Sequence, residues 1–489
     1  MTTLLQDLAG PGGIRPISAR WVVTGQLEVV TVTHLGGGRQ DAVDMALLRH
    51  PVDRTPMLPG ASLAGALRSH LADRLSGYGQ PEPPLVARLF GGARGDDQGG
   101  QSPLIVYDSF ARLPRDVPIE IRDGVAIDAA TGTAEAHKKY DAEVLPPGTR
   151  FPLRFDLVVP DSAQEQELVD ALAAALQGLE AGEIGLGARR SRGWGQIKVD
   201  QWLAGRFDLT DAAGWVAWAT SDHLEPWRDQ PSTGCWSQVE QAIAKAWPRF
   251  SRLSQTQRDE RRRCRIELAL EIPHGLLVRS VPAQPDAPDV VQMRAGGRNV
   301  LPGTSLAGVL RQRMAAVARL VRQNQRDAQA WIEDLWGPRL RGTEDPDFSP
   351  WGSRVRVRES YLEQATPLRT NRIRLDRFTQ GVMHGALFDE EPVFGARLQV
   401  GIELRDPRPG ELGLLLLTLK DLLTGDLAVG GAGSVGRGLA RGSGRLVDEQ
   451  GTVVSLTFPA PDRDREVLDG FIRAFHAAAP RSPKVGGIR

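Results

Sequence analysis

The sequence has very little cysteine. Only Cys235 and Cys264 occur among 489 residues, and their spacing does not form a Cys-x-x-Cys metal motif. Two thiols cannot build the disulfide framework of a small secreted protein, so the composition favours a reducing compartment. We therefore expect no structural zinc site.

The sequence also lacks an excess of charge and a long hydrophobic run. Lys plus Arg and Asp plus Glu each number 60, so any basic surface for nucleic acid has to be local. No stretch reaches the roughly 18 apolar residues of a membrane-spanning helix, because Lys420 and Asp421 interrupt the most apolar segment. The N-terminal segment does not have the basic start and apolar run of a secretory signal. We expect a cytoplasmic protein that does not contact a membrane.

The most informative feature that is present is a motif that occurs twice. LPGASLAGALR at residues 58–68 returns as LPGTSLAGVLR at residues 301–311. Pro-Gly marks a turn, and the following pattern predicts a helix whose free N–H groups suit a phosphate. Gly65 and Gly308 would let another backbone approach, or would serve only tight helix packing. The candidate phosphate contacts in the motif are Ser62, Arg68, Ser305 and Arg311.

The secondary-structure pattern follows the same order in both halves. Strand patterns and helical periodicity in the first half alternate as β, α, β, β, α, β, which is the ferredoxin-like arrangement. The second half repeats these parts in sequence. The sequence therefore predicts an α+β protein of two fused domains, residues 1–200 and residues 265–489, with a tryptophan-rich linker at residues 201–264.

The predicted linker has no counterpart in the repeat. Six of the eleven tryptophans of the chain fall in it: Trp202, Trp215, Trp218, Trp227, Trp236 and Trp247. Exposed tryptophan is costly, so the linker should pack on a domain or on a partner subunit. It is either a satellite core under a long connection or a platform on which bases stack.

Each half also carries a glycine-rich loop before its last strand. In such loops, main-chain N–H groups and guanidinium groups can bind phosphate oxygens. Trp194 in the first loop is either a core residue or a stacking partner for a base. The basic candidates are Arg189, Arg190 and Arg192 in the first loop and Arg437 in the second.

A third repeated feature is an excursion between two strands, at residues 122–151 and again from residue 369. Basic residues interleaved with exposed apolar residues suit a hairpin that follows a nucleic-acid backbone and wedges between bases. The alternative is an ordinary exposed hairpin with salt bridges. The basic candidates are Arg122, Arg372, Arg374 and Arg377.

The candidates for chemistry are acidic and lie shortly before the Pro-Gly turn. Asp44 and Asp289 each stand five residues before an arginine. A carboxylate near phosphate-binding donors could hold a divalent cation or position an attacking oxygen, or it could simply cap a turn. Asp41 and Asp286 lie nearby and are less favoured. His34 and His274 form a matched pair at strand ends, with a possible acid–base, phosphate-binding or structural role.

Together, these motifs resemble the RAMP superfamily of CRISPR proteins. The residues that carry the resemblance are the strand ending in His34, the Asp44 loop, the two LPG-x-SLAG-x-LR motifs, the hairpin sequence IDAATGTA at residues 127–134 and the glycine-rich loops. Both halves look like the Cas seven-type backbone subunit of type III effector complexes. Two such units in one chain are similar to the fused backbone subunits of subtype D.

The resemblance implies a modified RRM-like palm and a thumb hairpin in each domain. It implies binding of CRISPR RNA and target RNA within a ribonucleoprotein of antiviral defence, together with other type III subunits. It also implies endoribonuclease activity with Mg²⁺ or Mn²⁺, in which Asp44 and Asp289 are both catalytic and metal-binding. The palm and thumb candidates His34, His274 and the Ser and Arg residues named above would then contact RNA.

Two other functions remain open from the sequence. The chain could be a scaffold that binds RNA and does not cleave it, in which case both aspartates would be structural. It could also be a guide-RNA-processing endonuclease of the same superfamily, which would use a histidine such as His34 or His274 and would need no metal.

Overall fold

A computed structural model describes residues 17–37, 43–92, 100–128, 131–221, 235–282, 286–339, 348 and 350–479. Asp41 and Trp227 lie outside these ranges. Among the helices of the described part of the chain, none is both long enough and apolar enough to cross a bilayer.

The first unit is built on an antiparallel sheet whose strands follow the order β3-β7-β1-β8. Its elements begin with β1 (Ala19–Val29), β2 (Met57–Leu58), α1 (Gly60–Ser76), α2 (Pro84–Phe90), β3 (Leu104–Val106) and β4 (Ser109–Phe110). They continue with β5 (Glu120–Ile127), β6 (Ala134–Val144), β7 (Arg150–Val159), α3 (Ser162–Glu180) and β8 (Ile197–Asp208). β5 and β6 pair with each other as a separate antiparallel hairpin, which we call the first hairpin.

In the described part of the segment between the two units, the chain forms three short helices. They are α4 (Ala212–Thr220), α5 (Val239–Ala246) and α6 (Ser254–Gln257).

The second unit has the same sheet with one strand added, in the order β14-β20-β9-β21-β22. Its first elements are β9 (Arg263–Ile272), β10 (Arg279–Ser280), β11 (Val290–Gln292), β12 (Arg294–Ala295), β13 (Arg298–Leu301), α7 (Gly303–Arg322), α8 (Gln325–Trp336), β14 (Val355–Val357) and β15 (Ser360–Tyr361). The remaining elements are β16 (Thr366–Pro367), β17 (Thr370–Arg372), β18 (Phe388–Glu391), β19 (Val393–Phe394), β20 (Ala396–Arg405), α9 (Glu411–Thr424), β21 (Arg441–Val447), β22 (Val453–Leu456) and α10 (Asp462–Ala477). β17 and β18 form the second hairpin.

The two sheets confirm the predicted α+β class and the ferredoxin-like arrangement. β1, β3, β7 and β8 of the first unit match β9, β14, β20 and β21 of the second in both chain order and sheet position. β9 alternates strictly between exposed and buried residues from Cys264 to Ile272, so one of its faces is apolar and packs on the core. Because α9 is buried along nearly its whole length, it can be almost continuously apolar.

Part of the predicted linker belongs to the first unit. β8 continues to Asp208 and stays paired with β1 across the predicted boundary at residue 200. Trp202 on this strand is fully buried and joins the same core as Val239 and Ile243 of α5. These residues therefore extend the main core of the first unit, whereas Trp215 on α4 is about half exposed.

The repeated motif begins a helix in both units, as predicted. Pro59 and Pro302 have nearly equal extended backbone angles, and α1 and α7 start at the next residue. The close backbone approach, however, occurs at Gly60 and Gly303. A Cβ atom on Gly60 would lie 2.1 Å from the Val106 carbonyl oxygen, whereas one on Gly65 or Gly308 would meet nothing within 4 Å. Within the described residues no other segment approaches Gly65 or Gly308, so both positions lie open at the helix surface and do not serve packing of the protein itself.

The units meet where the base of the first hairpin lies against the second unit. Arg122 on β5 donates to the Glu359 carboxylate at 2.8 Å, and both side chains are almost completely buried. Glu120 accepts from the Gly296 N–H group at 2.6 Å, and Tyr361 donates to the Val30 carbonyl oxygen at 3.1 Å. This hairpin is therefore anchored by the second unit as well as by its own.

The glycine motif generates a stability prediction with an internal control. We expect Gly60→Ala to lower the free energy of unfolding by about 2 kcal/mol or more, because the added methyl group overlaps a backbone carbonyl. Gly65→Ala should raise it by up to about 1 kcal/mol, because alanine favours an exposed helix interior. Denaturant melts of both variants measure the difference, and equal effects would contradict the assigned packing.

The buried ion pair generates a second prediction. Glu359→Gln should destabilise the protein by about 3–5 kcal/mol, because it leaves the Arg122 guanidinium buried without a counter-charge. Thermal melts measure the loss, and limited proteolysis shows whether the hairpin base loosens. The control is Glu271→Gln, which removes the partner of an exposed arginine, Arg397, and should cost less than about 1 kcal/mol.

A buried histidine generates a pH prediction. Burial lowers the pKa of His70 to about 3, and the Arg261 guanidinium adds to this effect. Since the unfolded chain gains a proton near pH 6.5 and the folded chain does not, folding loses stability as the pH falls below about 6.5. His70→Gln should remove about 2.5 kcal/mol of the acid destabilisation between pH 7 and pH 4.5. Denaturant melts at both pH values measure the difference, and an unchanged pH dependence of unfolding in His70→Gln would contradict the assigned burial.

Candidate functional site

The structure pairs Asp44 with a second aspartate, Asp141, at the base of the first hairpin. The Asp44 N–H group donates to the Asp141 carboxylate at 2.7 Å, and the Asp141 N–H group donates to the Asp44 carboxylate at 3.2 Å. Met45 forms a parallel bridge with Ala142 directly beside this pair. Reciprocal backbone contacts thus hold the two carboxylates side by side.

The second unit contains the same arrangement. The Asp289 N–H group donates to the Asp389 carboxylate at 2.9 Å, and the Asp389 N–H group donates to the Asp289 carboxylate at 3.0 Å. β11, which follows Asp289, runs parallel to β18, which contains Asp389. We call these sets the first and second aspartate pairs.

An arginine–glutamate contact anchors each pair to its hairpin. In the first unit, Arg49 contacts the Glu143 carboxylate at 2.9 Å, and in the second unit Arg294 contacts the Glu391 carboxylate at 3.6 Å. Glu143 also accepts from the Leu47 N–H group. The arginine five residues after each candidate aspartate therefore ties the loop to the same hairpin strand that carries the partner aspartate.

The hairpin turns confirm the correspondence between the two excursions. Asp128 accepts from the N–H group of Thr131 at 2.8 Å, and Asp376 accepts from the N–H group of Thr379 at 2.8 Å. Both threonine hydroxyl groups also donate to these carboxylates. Asp128 and Asp376 are therefore structurally equivalent.

The two pairs differ in their immediate surroundings. Arg369 donates from Nε to the Asp389 carboxylate at 2.7 Å, whereas the strand register places Ile121 at the matching position of the first hairpin. The backbone hydrogen bond from Asp289, together with Arg369, holds the pKa of Asp389 below its usual value. A depression of about 560 Å³ opens beside the second pair and is lined by Asp289, Arg369, Asn371, Leu387, Phe388 and Asp389.

Several predicted RNA contacts are engaged within the protein. Arg122 is in the buried pair with Glu359, and Arg68 donates two hydrogen bonds to Glu82. Arg311 donates to the Gly337 carbonyl oxygen, and burial lowers its pKa to about 10. In this structure Arg122 is buried in an ion pair, whereas Arg68 and Arg311 are partly buried and contact groups of the protein itself.

Two further arginines, one from the second hairpin and one from the second glycine-rich loop, contact a carboxylate of β18. Arg372 and Arg437 both contact the buried Glu390 carboxylate at 2.6 Å. The hairpin tip is different, because Arg374 and Arg377 are exposed there and Arg377 stacks over Phe378, which is 80% exposed. The tip therefore presents the basic and apolar side chains that were predicted for a nucleic-acid hairpin.

The first glycine-rich loop lies between the units. Arg190 and Arg192 are exposed, whereas Arg189 stacks over Tyr140 and Trp194, and burial lowers its pKa. Trp194 is 3% exposed and belongs to the core that includes the second unit, so it is a core residue. Only the two flanking arginines of this loop present their side chains to solvent.

The matched histidines and serines have unequal surroundings. His34 is 3% exposed, and its Nδ1 atom lies 2.8 Å from the Glu143 carbonyl oxygen, so Nδ1 carries the hydrogen. His274 and Ser62 are exposed, and Ser305 is partly buried. Neither serine side chain caps its helix. The structure gives His34 a structural contact at the base of the first hairpin.

Sequence reasoning missed both Asp141 and Asp389 as partners of the candidate aspartates. A signal for both was present in the spacing, because each stands thirteen residues after the aspartate of its hairpin turn, Asp128 or Asp376. The signal was weak without structure, since the partner aspartates lie about a hundred residues from Asp44 and Asp289. Only the packing of the loop on the hairpin brings them together.

Fold and site define a protein of two fused ferredoxin-like units, each with a hairpin that carries a reciprocal aspartate pair at its base. The sequence profile of the RAMP superfamily matches residues 26–198 and 289–441, which is more than half of the chain. The chain therefore belongs to the RAMP superfamily, as the repeated motifs predicted.

Three curated relatives carry the name CRISPR system Cms endoribonuclease Csm3. The protein of Mycobacterium tuberculosis is 28% identical over 205 residues, which cover 37% of this chain and 86% of the relative. That of Streptococcus thermophilus is 24% identical over 204 residues, covering 38% of this chain and 90% of the relative. That of Enterococcus italicus is 35% identical over 81 residues, covering 15% of this chain and 38% of the relative. The similarity supports the predicted Cas seven-type backbone subunit and does not address the D-like subtype.

Proposed function

We propose that this chain is a backbone subunit of a type III CRISPR effector complex that binds CRISPR RNA and cleaves target RNA beside its two hairpins. The observation that carries the proposal is the reciprocal aspartate pair, which recurs with the same backbone contacts at the base of both hairpins. The names of the Csm3 relatives support endoribonuclease activity. The complex would act in the cytoplasm with other type III subunits, and the duplicated unit favours a D-like subtype.

The residues of each pair suit a divalent cation of the Mg²⁺ or Mn²⁺ type. Such ions prefer oxygen ligands and are commonly held by one or two carboxylates, with water and substrate phosphates completing the shell. Among the described residues, no three or more His, Cys, Asp or Glu side chains lie close enough together to hold a metal ion by themselves. Asp44 with Asp141 and Asp289 with Asp389 would therefore hold the cation together with an RNA phosphate. When bound, the cation would neutralise phosphate charge and lower the pKa of a coordinated oxygen.

The protein itself contributes position and charge. The reciprocal N–H contacts fix both carboxylates of a pair against one strand of the hairpin, so their geometry does not have to form when RNA arrives. The exposed hairpin tip presents Arg374, Arg377 and Phe378, which suit a nucleic-acid backbone and an unstacked base. A hairpin inserted between bases would bring the phosphates at its base next to the aspartate pair.

Basic side chains that remain exposed would provide the sequence-independent part of RNA binding. Arg190 and Arg192 flank the loop between the units, and His274 is exposed at the matched strand end of the second unit. Contacts of this kind depend on salt, because each neutralised phosphate releases counterions. Since net charge is zero, we place RNA on this local basic surface.

The decisive test compares single substitutions of both members of the first pair. Asp44→Asn and Asp141→Asn should each reduce cleavage of a guide-complementary RNA beside the first hairpin by about a hundredfold, the usual effect of removing a catalytic group. Asp289→Asn and Asp389→Asn should affect a different product. The reconstituted complex is assayed with Mg²⁺ or Mn²⁺, and the RNA products are resolved by length.

The control is Asp462→Asn, which alters an almost fully exposed carboxylate on α10 and should leave every product unchanged. Target binding is measured in parallel by filter retention and should persist in all variants. If all four pair substitutions leave the products unchanged, the chain is a scaffold and another subunit contains the nuclease. Cleavage that persists in the presence of a metal chelator would support the alternative function as a guide-RNA-processing endonuclease.

A further inference from the structure

An arginine side chain of the protein itself contacts the second aspartate pair. The Arg369 Nε atom lies 2.7 Å from Oδ2 of Asp389, and one terminal nitrogen contacts the same oxygen. The other terminal nitrogen lies 3.5 Å from the Asp286 carbonyl oxygen. Arg369 thus bridges the hairpin strand and the loop that leads to Asp289.

The first hairpin cannot make this contact. Strand pairing aligns Asp123 with Asp141 and Asn371 with Asp389, so Ile121 stands where the second hairpin has Arg369. The cross-strand neighbour is also acidic in the first hairpin and neutral in the second. The two hairpins therefore share one backbone arrangement but differ in the charges that surround their aspartate pairs.

A guanidinium group and a divalent cation use the same atoms of a carboxylate. The oxygen of Asp389 that accepts from Arg369 is a lone-pair donor that a metal ion would also require. The Arg369 side chain is about half exposed, and exposed ion pairs are weak enough to be displaced. Arg369 should therefore raise the cation concentration needed to fill the pair without blocking it completely.

We propose that Arg369 is a built-in competitor that sets the divalent-cation requirement of the second aspartate pair. The inference rests on the proposed function, because it takes this pair to be the cation-binding site beside the second hairpin. With arginine at position 369, the second aspartate pair would need a higher cation concentration than it would with isoleucine there, the residue that the first hairpin has at the matching position. Arg369 is thus a positioning residue, which acts on the reaction through Asp389.

Cation binding can be measured without RNA cleavage. Fe²⁺ replaces the natural cation in the full-length chain, and ascorbate with peroxide then generates radicals that cut the polypeptide next to the bound ion. Mass spectrometry of the fragments reports cutting near residues 289 and 389 separately from cutting near residues 44 and 141. Arg369→Ile should lower the Fe²⁺ concentration for half-maximal cutting at the second pair about threefold, as expected for removal of an exposed ion pair.

Matched variants separate charge from packing. Arg369→Gln keeps most of the side-chain length and should behave like Arg369→Ile, whereas Arg369→Lys keeps the charge and should resemble the unaltered protein. Arg445→Ile removes an equally exposed arginine that pairs with Glu267 on the second sheet and should leave the cutting unchanged. An unchanged half-maximal concentration in Arg369→Ile and Arg369→Gln, or no cutting at the second pair in any variant, overturns the inference.

The RNA assay distinguishes this result from failure of the proposed function. In the reconstituted complex, Arg369→Ile should lower the Mg²⁺ or Mn²⁺ concentration at which the product of the second hairpin appears, while the product of the first hairpin keeps its dependence. If Fe²⁺ cutting shifts but no aspartate substitution alters RNA cleavage, Arg369 competes with the cation as inferred and the proposed nuclease function fails.

Discussion

The structure depends on a buried charge pair that crosses between the two repeated units. Arg122 belongs to the first hairpin, whereas Glu359 follows a strand of the second sheet, and the two side chains are almost completely buried together. A buried pair of this kind adds little net stability, but removing one partner is costly, so it favours one particular docking. It docks the base of the hairpin on the second unit, while the contact between Arg49 and Glu143 joins the same hairpin to the loop that carries Asp44. The geometry of the first aspartate pair is therefore supported from both units.

The two units share their backbone arrangement but differ in the side chains around it. The reciprocal aspartate contacts, the hairpin turns and the sheet order are equivalent in the two units. The residues around them have diverged: Asp108 accepts from the N–H group of Gly60 within the first unit, whereas the matching Glu359 pairs with the other unit. Such divergence is expected at positions where one copy is covered by its neighbour and the other is not. Equivalent backbone geometry does not require equivalent chemistry at the two hairpins.

Local pattern was sufficient to predict much of this protein. The apolar alternation of strands such as β9 and the helix starts after Pro59 and Pro302 depend on residues close together in the sequence. Because each pattern occurs in both units, one copy supports the assignment of the other. The hairpin turn was predictable because Asp128 and Thr131 form its hydrogen bonds within three residues. β8 continues past the predicted boundary at residue 200, because its pairing with β1 joins strands that are far apart in sequence.

The sequence by itself determined two ferredoxin-like units, their membership of the RAMP superfamily and the candidate aspartates Asp44 and Asp289, because these follow from repeated short motifs. Only the tertiary structure decided which charged side chains are available. Arg122 and Arg437 are arginines in segments that suit phosphate binding, but both are buried against carboxylates. The local sequence does not predict whether a long side chain is buried. The partners Asp141 and Asp389 likewise required the folded chain, since loop and hairpin meet only through packing. The physical reason is that a carboxylate's role depends on which groups lie within a few ångströms, and those groups come from distant segments.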